Sequence, residues 1–145
     1  MAEMLNAIIA RGGTTALTNA VTPGTLAHWM ATPGAIWHLA ENDQGALQGF
    51  QWVEPKSGLP ADMLDIATFT RIGATGLGIG SALFERTKDA AKEQGARAIN
   101  ATIRADNQGG LAYYQSRGFE PYARQDNVNL GGGLIVGRVM MRYEL

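Results

Sequence analysis

An α+β domain, built on a sheet of about six strands with four helices, is the fold class that the sequence predicts. Three observations predict it. Apolar residues repeat at helical spacing up to about residue 31, and from Ala35 they alternate with a period of two. Strand and helix patterns alternate with one another only in the second half, which favours an α+β or mixed sheet. Finally, 145 residues without a linker, internal repeat or low-complexity tract read as a single domain spanning 1–145.

The elements follow in order. In residues 2–10, Met4, Leu5, Ile8 and Ile9 share one helical face, and Gly12 and Gly13 end that helix. Thr22 followed by Pro23 marks the N-cap and first position of a second, short helix. Its Trp29 and Met30 either pack against the sheet or line a groove. Residues 35–41 and 46–54 read as two strands joined at a turn over 42–45, a hairpin. After a turn-rich break at 55–60, residues 62–70 form the third strand. A glycine-rich loop and an amphipathic helix to residue 94 follow, and Gly95 stops that helix. Leu83, Thr87, Ala90, Ala91 and Gln94 repeat along it, with Glu85/Lys88 and Asp89/Lys92 as opposite charges three apart. A strand at 96–105 and a short helix at 109–118 come next. Two last strands, 119–124 and 134–145, are expected on either side of a flexible stretch at 126–133.

Composition narrows the function. A formal net charge of −1 provides no overall basic field for nucleic acid or acidic lipid. The absence of cysteine excludes disulfides, cysteine-bound zinc and a thiol nucleophile. His28 and His38 fall in different elements without metal-ligand spacing, so no metal site is expected. No apolar run reaches the roughly 20 residues of a membrane span, and the expected location is the cytoplasm.

The loop carries the first chemical signal. Glycines stand at 73, 76, 78 and 80, immediately before a helix. Glycines at alternate positions let the backbone pass close to something bulky, and the free N–H groups of the first helical turn make a ready phosphate site. The other reading is a glycine-rich connection that merely lets strand and helix pack closely. Two named phosphate loops are excluded. A P-loop needs Lys and Ser/Thr after its last glycine, and a dinucleotide fingerprint begun at Gly76 needs glycine where Ser81 stands.

The second signal is N-x6-Y-x3-G-F, formed by Asn107, Tyr114, Gly118 and Phe119. Together with Thr75-Gly76-Leu77-Gly78-Ile79-Gly80-Ser81, one helix, one strand and one helix earlier, it resembles the GNAT superfamily of N-acetyltransferases. The resemblance covers at least residues 35–145 and is nearest the phosphinothricin and amino-acid N-acetyltransferase branch. It implies a mostly antiparallel sheet, splayed at an acetyl-CoA loop. The first strand of the family has no counterpart before the first helix here, and Thr75 stands where the family carries Gln or Arg, with Arg71 as a substitute.

What the resemblance implies for single residues is as follows. Acetyl-CoA is the acetyl donor, with its pyrophosphate on the N–H groups of residues 76–81 (Gly76, Leu77, Gly78, Ile79, Gly80, Ser81). Phe69, Thr70 and Ile72 supply backbone groups to the pantetheine, and an N–H near Thr70 polarises the thioester. Tyr114 donates a proton to the departing thiolate, unless it is simply a half-buried core tyrosine; Tyr113 is read as packing. Asn107 either bonds the cofactor or caps its helix. Asp65 is the counterpart of the branch's carboxylate base, with Glu54 in reserve. The implied reaction is attack of a neutral primary amine on the thioester through a tetrahedral intermediate. Neutralising an α-amine of pKa about 8 costs about 1.4 kcal/mol at pH 7, against about 4.6 kcal/mol for a lysine amine. An α-amine can therefore lose its proton through water, with Asp65 only assisting. Because the stretches expected to border the acceptor, 22–31 and 55–60, are not rich in acids, a small amine, such as an amino acid or its analogue, is favoured. A protein or peptide acceptor, or a non-catalytic acyl-CoA-binding module, are the alternatives. Leu134, Val136, Val139 and Met141 in the last strand, with an exposed first edge, lead to the expectation of a homodimer.

Overall fold

The structure is a computed structural model that describes residues 1–74 and 77–145. Its elements run α1 (Ala2–Arg11), α2 (Pro23–Met30), β1 (Ile36–Glu41), β2 (Leu47–Pro55), β3 (Met63–Thr70), α3 (Ile79–Glu93), β4 (Ala98–Arg104), α4 (Gln108–Ser116), β5 (Glu120–Gly131) and β6 (Leu134–Glu144). The order is the expected one. Local chemistry explains the boundaries. Thr22 and Thr25 form a reciprocal capping box with Pro23 at the first position of α2. Asn42 Oδ1 accepts from the Gln44 and Ala46 amides and closes the β1–β2 hairpin.

The six strands form one sheet in the order β1-β2-β3-β4-β6-β5, antiparallel throughout except between β3 and β4. Alternation along each strand divides the apolar residues between two cores. On β2, Phe50 and Trp52 face α1 and α2 and pack with Met4, Leu5, Ile8, Leu26 and Phe69. Val53, with Leu64 and Ile66 of β3, faces the other way and meets Phe84, Ala91, Ile99, Tyr114 and Phe119. On α3 the buried face is Leu83, Phe84, Thr87 and Ala91, and Glu85 pairs with Lys88 on the wet side.

The parallel seam positions the site. Pairing between β3 and β4 covers only four residue pairs, from Met63↔Ala98 to Ile66↔Ala101. Both strands run on beyond it, to Thr70 and Arg104, and each hands over to a helix. The sheet is therefore splayed at the carboxyl ends of two parallel neighbours, where open sheets bind ligands.

Two expectations change. Residues 126–131 are not a flexible stretch: they belong to β5, which pairs with β6 as far as Gly131↔Leu134 through three register irregularities. Asn127, with φ 56, supplies the left-handed backbone that such a bulge needs. The last strand also lies inside the sheet, between β4 and β5. Met141 is buried there and Val139 packs on the same core, so covering these residues needs no second chain.

Candidate active site

Where β3 and β4 part, a groove of about 710 Å³ opens, lined from both cores. A smaller recess of about 280 Å³ lies at the N-terminus of α3, and Thr70, Gly80 and Tyr113 line both. On β3, residues 67–70 lack a partner strand on the β4 side, so backbone groups along that edge face the groove.

Tyr114 sits on the floor of the split, buried, with its ring against Tyr113 and Phe119. Its hydroxyl shares a hydrogen bond of 2.8 Å with Thr68 Oγ1. Burial pushes its pKa well above the ordinary 10, and the neighbouring Tyr113 and Asp65 add to the rise. The hydroxyl thus keeps its proton at neutral pH and well above it.

Around it runs a network that sequence reasoning missed. Gln51, wholly buried on β2, donates from Nε2 to Thr68 Oγ1 at 2.8 Å and to the Tyr113 hydroxyl at 3.2 Å. Tyr113 in turn donates to the Gly80 carbonyl at 2.7 Å. Tyr113 is therefore more than packing: it ties α4 to the first turn of α3. Gln51 Oε1 is buried without a partner among the described residues, at a cost of about 1–3 kcal/mol. A glutamine between Phe50 and Trp52 in a buried strand was the signal available; its register opposite Thr68 was not.

The other expected residues divide. Thr70 and Ile72 line the groove. Phe69 lines it too, while its ring packs on Phe50 and Trp52. Gly78, Ile79, Gly80 and Ser81 line the smaller recess, with Gly78 in the left-handed conformation just before α3. Leu77 is exposed. Thr75 and Gly76 lie outside the described residues. Arg71 donates from Nε to the Leu47 carbonyl. Asn107 is the N-cap of α4: Oδ1 accepts from the Gly110 amide, and Nδ2 donates to the Thr14 carbonyl, pinning the loop after α1.

On the α1/α2 face the groove carries charge. Asp65 accepts from Asn100 Nδ2 at 2.7 Å and pairs with Lys56 Nζ at 3.2 Å, while Tyr122 donates to Asn100 Oδ1. Burial, with Asp65 nearby, raises the Tyr122 hydroxyl. Glu54 stands directly across from Asp65 in the β2–β3 register, and among the described residues its carboxylate has no ion pair or hydrogen bond. Arg104 is bidentate to Asp106 and donates to the Thr15 carbonyl. Arg138 is held by Gln125 at 2.6 Å and lines the groove, as do Arg11 and Trp29. Trp29 also packs on Trp52, so both of its expected roles hold. His28 is exposed and His38 hydrogen-bonds Thr87. Among the described residues no cluster of His, Asp or Glu could hold a metal, and no helix is long and apolar enough to cross a membrane.

Fold and groove first define an α+β domain with a ligand-sized groove where two parallel strands of its sheet part. Residues 20–119 match the model of the Acetyltransferase (GNAT) family, and the chain belongs to that family of acetyltransferases. Among solved structures it is similar to a ribosomal-protein-alanine N-acetyltransferase from Brucella melitensis (20% identity, 99% of this chain and 91% of that one, TM-score 0.88). A phosphinothricin acetyltransferase from Sinorhizobium meliloti, solved in complex with acetyl-CoA, is equally alike (19% identity, 99% and 80%, TM-score 0.88). So is a putative acetyltransferase from Salmonella typhimurium with its cofactor acetyl-CoA (18% identity, 99% and 85%, TM-score 0.87). At these identities the likeness is one of fold. No curated protein matches.

Proposed function

We propose that this acetyltransferase moves an acetyl group from acetyl-CoA to the primary amine of a small molecule that also carries an anionic group, an amino acid or its analogue. The residues fit that donor. The N–H groups at the start of α3 suit a pyrophosphate, and the unpaired β3 edge over 67–70 suits the pantetheine amides. Two similar folds hold acetyl-CoA. When bound, acetyl-CoA supplies the activated acyl carbon. Tyr114 donates a hydrogen bond to the leaving sulfur. Because burial holds the tyrosine above a thiol of ordinary pKa about 8.5, complete transfer of its proton runs uphill, and its part is to stabilise developing charge.

The observation that carries the acceptor assignment is Glu54. It is a carboxylate on the groove wall, opposite a second carboxylate whose charge Lys56 already offsets. Like charges directly opposite are unfavourable, and an ammonium beside Glu54 relieves them. Both oxygens of Asp65 are already engaged, so Glu54 is the better receiver of the amine's proton and Asp65 the fixed partner. Arg138 and Arg11 then suit the acceptor's anionic group.

Thiol release from acetyl-CoA tests this across free amino acids, the same amines without a carboxylate, and short peptides. Amino acids are expected to turn over fastest. Glu54→Gln should lower kcat/KM about tenfold at pH 7 and recover near pH 9, where the α-amine is already neutral. Turnover with peptides alone would overturn the small-molecule reading; a larger loss in Asp65→Asn would return the base to Asp65.

Association remains a proposal resting on β1, an edge strand on which Leu39 is 49% exposed. The other edge, β5, is broken by its register irregularities and is a poor template for pairing. Light scattering should give the mass of a homodimer, and a monomer mass at all concentrations would sink it.

A further inference from the structure

The reading above leaves Gln51 without a part, although it touches the partner of Tyr114. We infer that Gln51 is a positioning residue: acting through Thr68, it turns the Tyr114 hydroxyl proton toward the split between β3 and β4. The inference rests on Tyr114 being the donor to the leaving sulfur.

Tyr113 sets the direction of the network. Its hydroxyl has one proton, and the Gly80 carbonyl at 2.7 Å can only accept, so that proton is committed. What Tyr113 offers Gln51 is a lone pair. The end of the amide facing it at 3.2 Å must therefore be the NH2 end, and the network fixes the orientation of the amide. The same nitrogen donates to Thr68 Oγ1 at 2.8 Å. Thr68 then has its own proton to place, and among the described residues the acceptor within reach is the Tyr114 oxygen at 2.8 Å. Thr68 donates, Tyr114 accepts, and the Tyr114 proton is left free for the groove.

Reversing the amide reverses the chain. Thr68 would donate to Oε1, and Tyr114 would spend its proton on Thr68, away from the sulfur. The unpartnered Oε1 has the same origin: the amide is held by its donor end, and its carbonyl goes without. Every link is a side chain on a rigid element, with Gln51 and Thr68 directly opposite in the β2–β3 register.

The test is a double-mutant cycle. Gln51→Leu removes both donors, and Thr68→Val removes the relay while keeping its shape, which guards against a Gln51 variant that does not fold. Each is measured alone and in a Tyr114→Phe background, for kcat and for the KM of acetyl-CoA. Each alone should lower kcat about 3- to 10-fold, the worth of one hydrogen bond, and Thr68→Val should leave the KM of acetyl-CoA unchanged. In the Tyr114→Phe background neither should cost anything further, because there is no proton left to direct. The same fold-loss in both backgrounds would mean a structural role and overturn the inference. Wild-type kcat in Gln51→Leu and Thr68→Val beside a slow Tyr114→Phe would overturn it alone. Wild-type kcat in Tyr114→Phe itself would remove the donor reading and the inference together.

Discussion

Tyr114→Phe lowers kcat by about 10²- to 10³-fold, the range for removing one hydrogen-bond donor to developing charge, and leaves the affinity for acetyl-CoA near that of the wild type. The phenylalanine ring retains the contacts with Tyr113 and Phe119 and loses only the hydroxyl bonded to Thr68. The cost in stability should stay near 1 kcal/mol. Steady-state kinetics with calorimetry on acetyl-CoA separate this from a packing role, which predicts lost stability and unaltered turnover. The wild type has an alkaline signature as well. Burial raises the folded-state pKa of Tyr114 above its unfolded value of about 10. The stability it contributes is therefore complete below about pH 10 and is lost as the pH rises further, when the unfolded chain ionises first. Melting temperatures from pH 9 to 11 should fall less steeply in Tyr114→Phe.

The second large effect is expected at Gly80. A Cβ there would lie 2.7 Å from the Tyr113 ring, whose hydroxyl is anchored to the same residue's carbonyl and to Gln51. Gly80→Val should push the ring aside or unwind the first turn of α3, costing about 1–3 kcal/mol and weakening acetyl-CoA binding at least about tenfold. Calorimetry together with thermal melting measures both. Gly80→Val with wild-type stability and affinity would refute the contact. Gly78 differs: its φ of 77 demands glycine for backbone reasons, and a Cβ there meets open space. The glycines of one loop thus serve separate purposes. The bulky neighbour implied at Gly80 by the sequence is Tyr113, whatever phosphate the recess receives.

Much of the fold was legible because it is written locally. Thr22 before Pro23, Asn42 at the hairpin and Gly95 after α3 each determine a boundary within a few residues of themselves. The extension of β5 was not legible. Asn127, Asn129 and Gly131 carry turn chemistry, and pairing with β6 overrides it. The insertion of β6 between β4 and β5 was equally hidden, since strand order is set by non-local pairing. Of the residues around the groove, Tyr114, Thr70 and the α3 N-terminus were singled out by motif. Gln51, Thr68 and Asn100 were not, because a strand residue acquires its partner only through register.

The groove also divides along the chain. If acetyl-CoA and the amine bind as proposed, its donor side comes from one continuous stretch, from β3 through α3 and β4 to α4. Its acceptor side is assembled from outlying pieces: Arg11 and the loop after α1, Trp29 of α2, Glu54 and Lys56 at the end of β2, Val128 and Leu130 of β5, and Arg138 of β6. On the proposed reading, inheritance can work on the two substrates separately. Exchange of the outer segments between relatives alters which amine is accepted and leaves the acetyl-handling stretch, with its buried tyrosine, as a unit passed on whole.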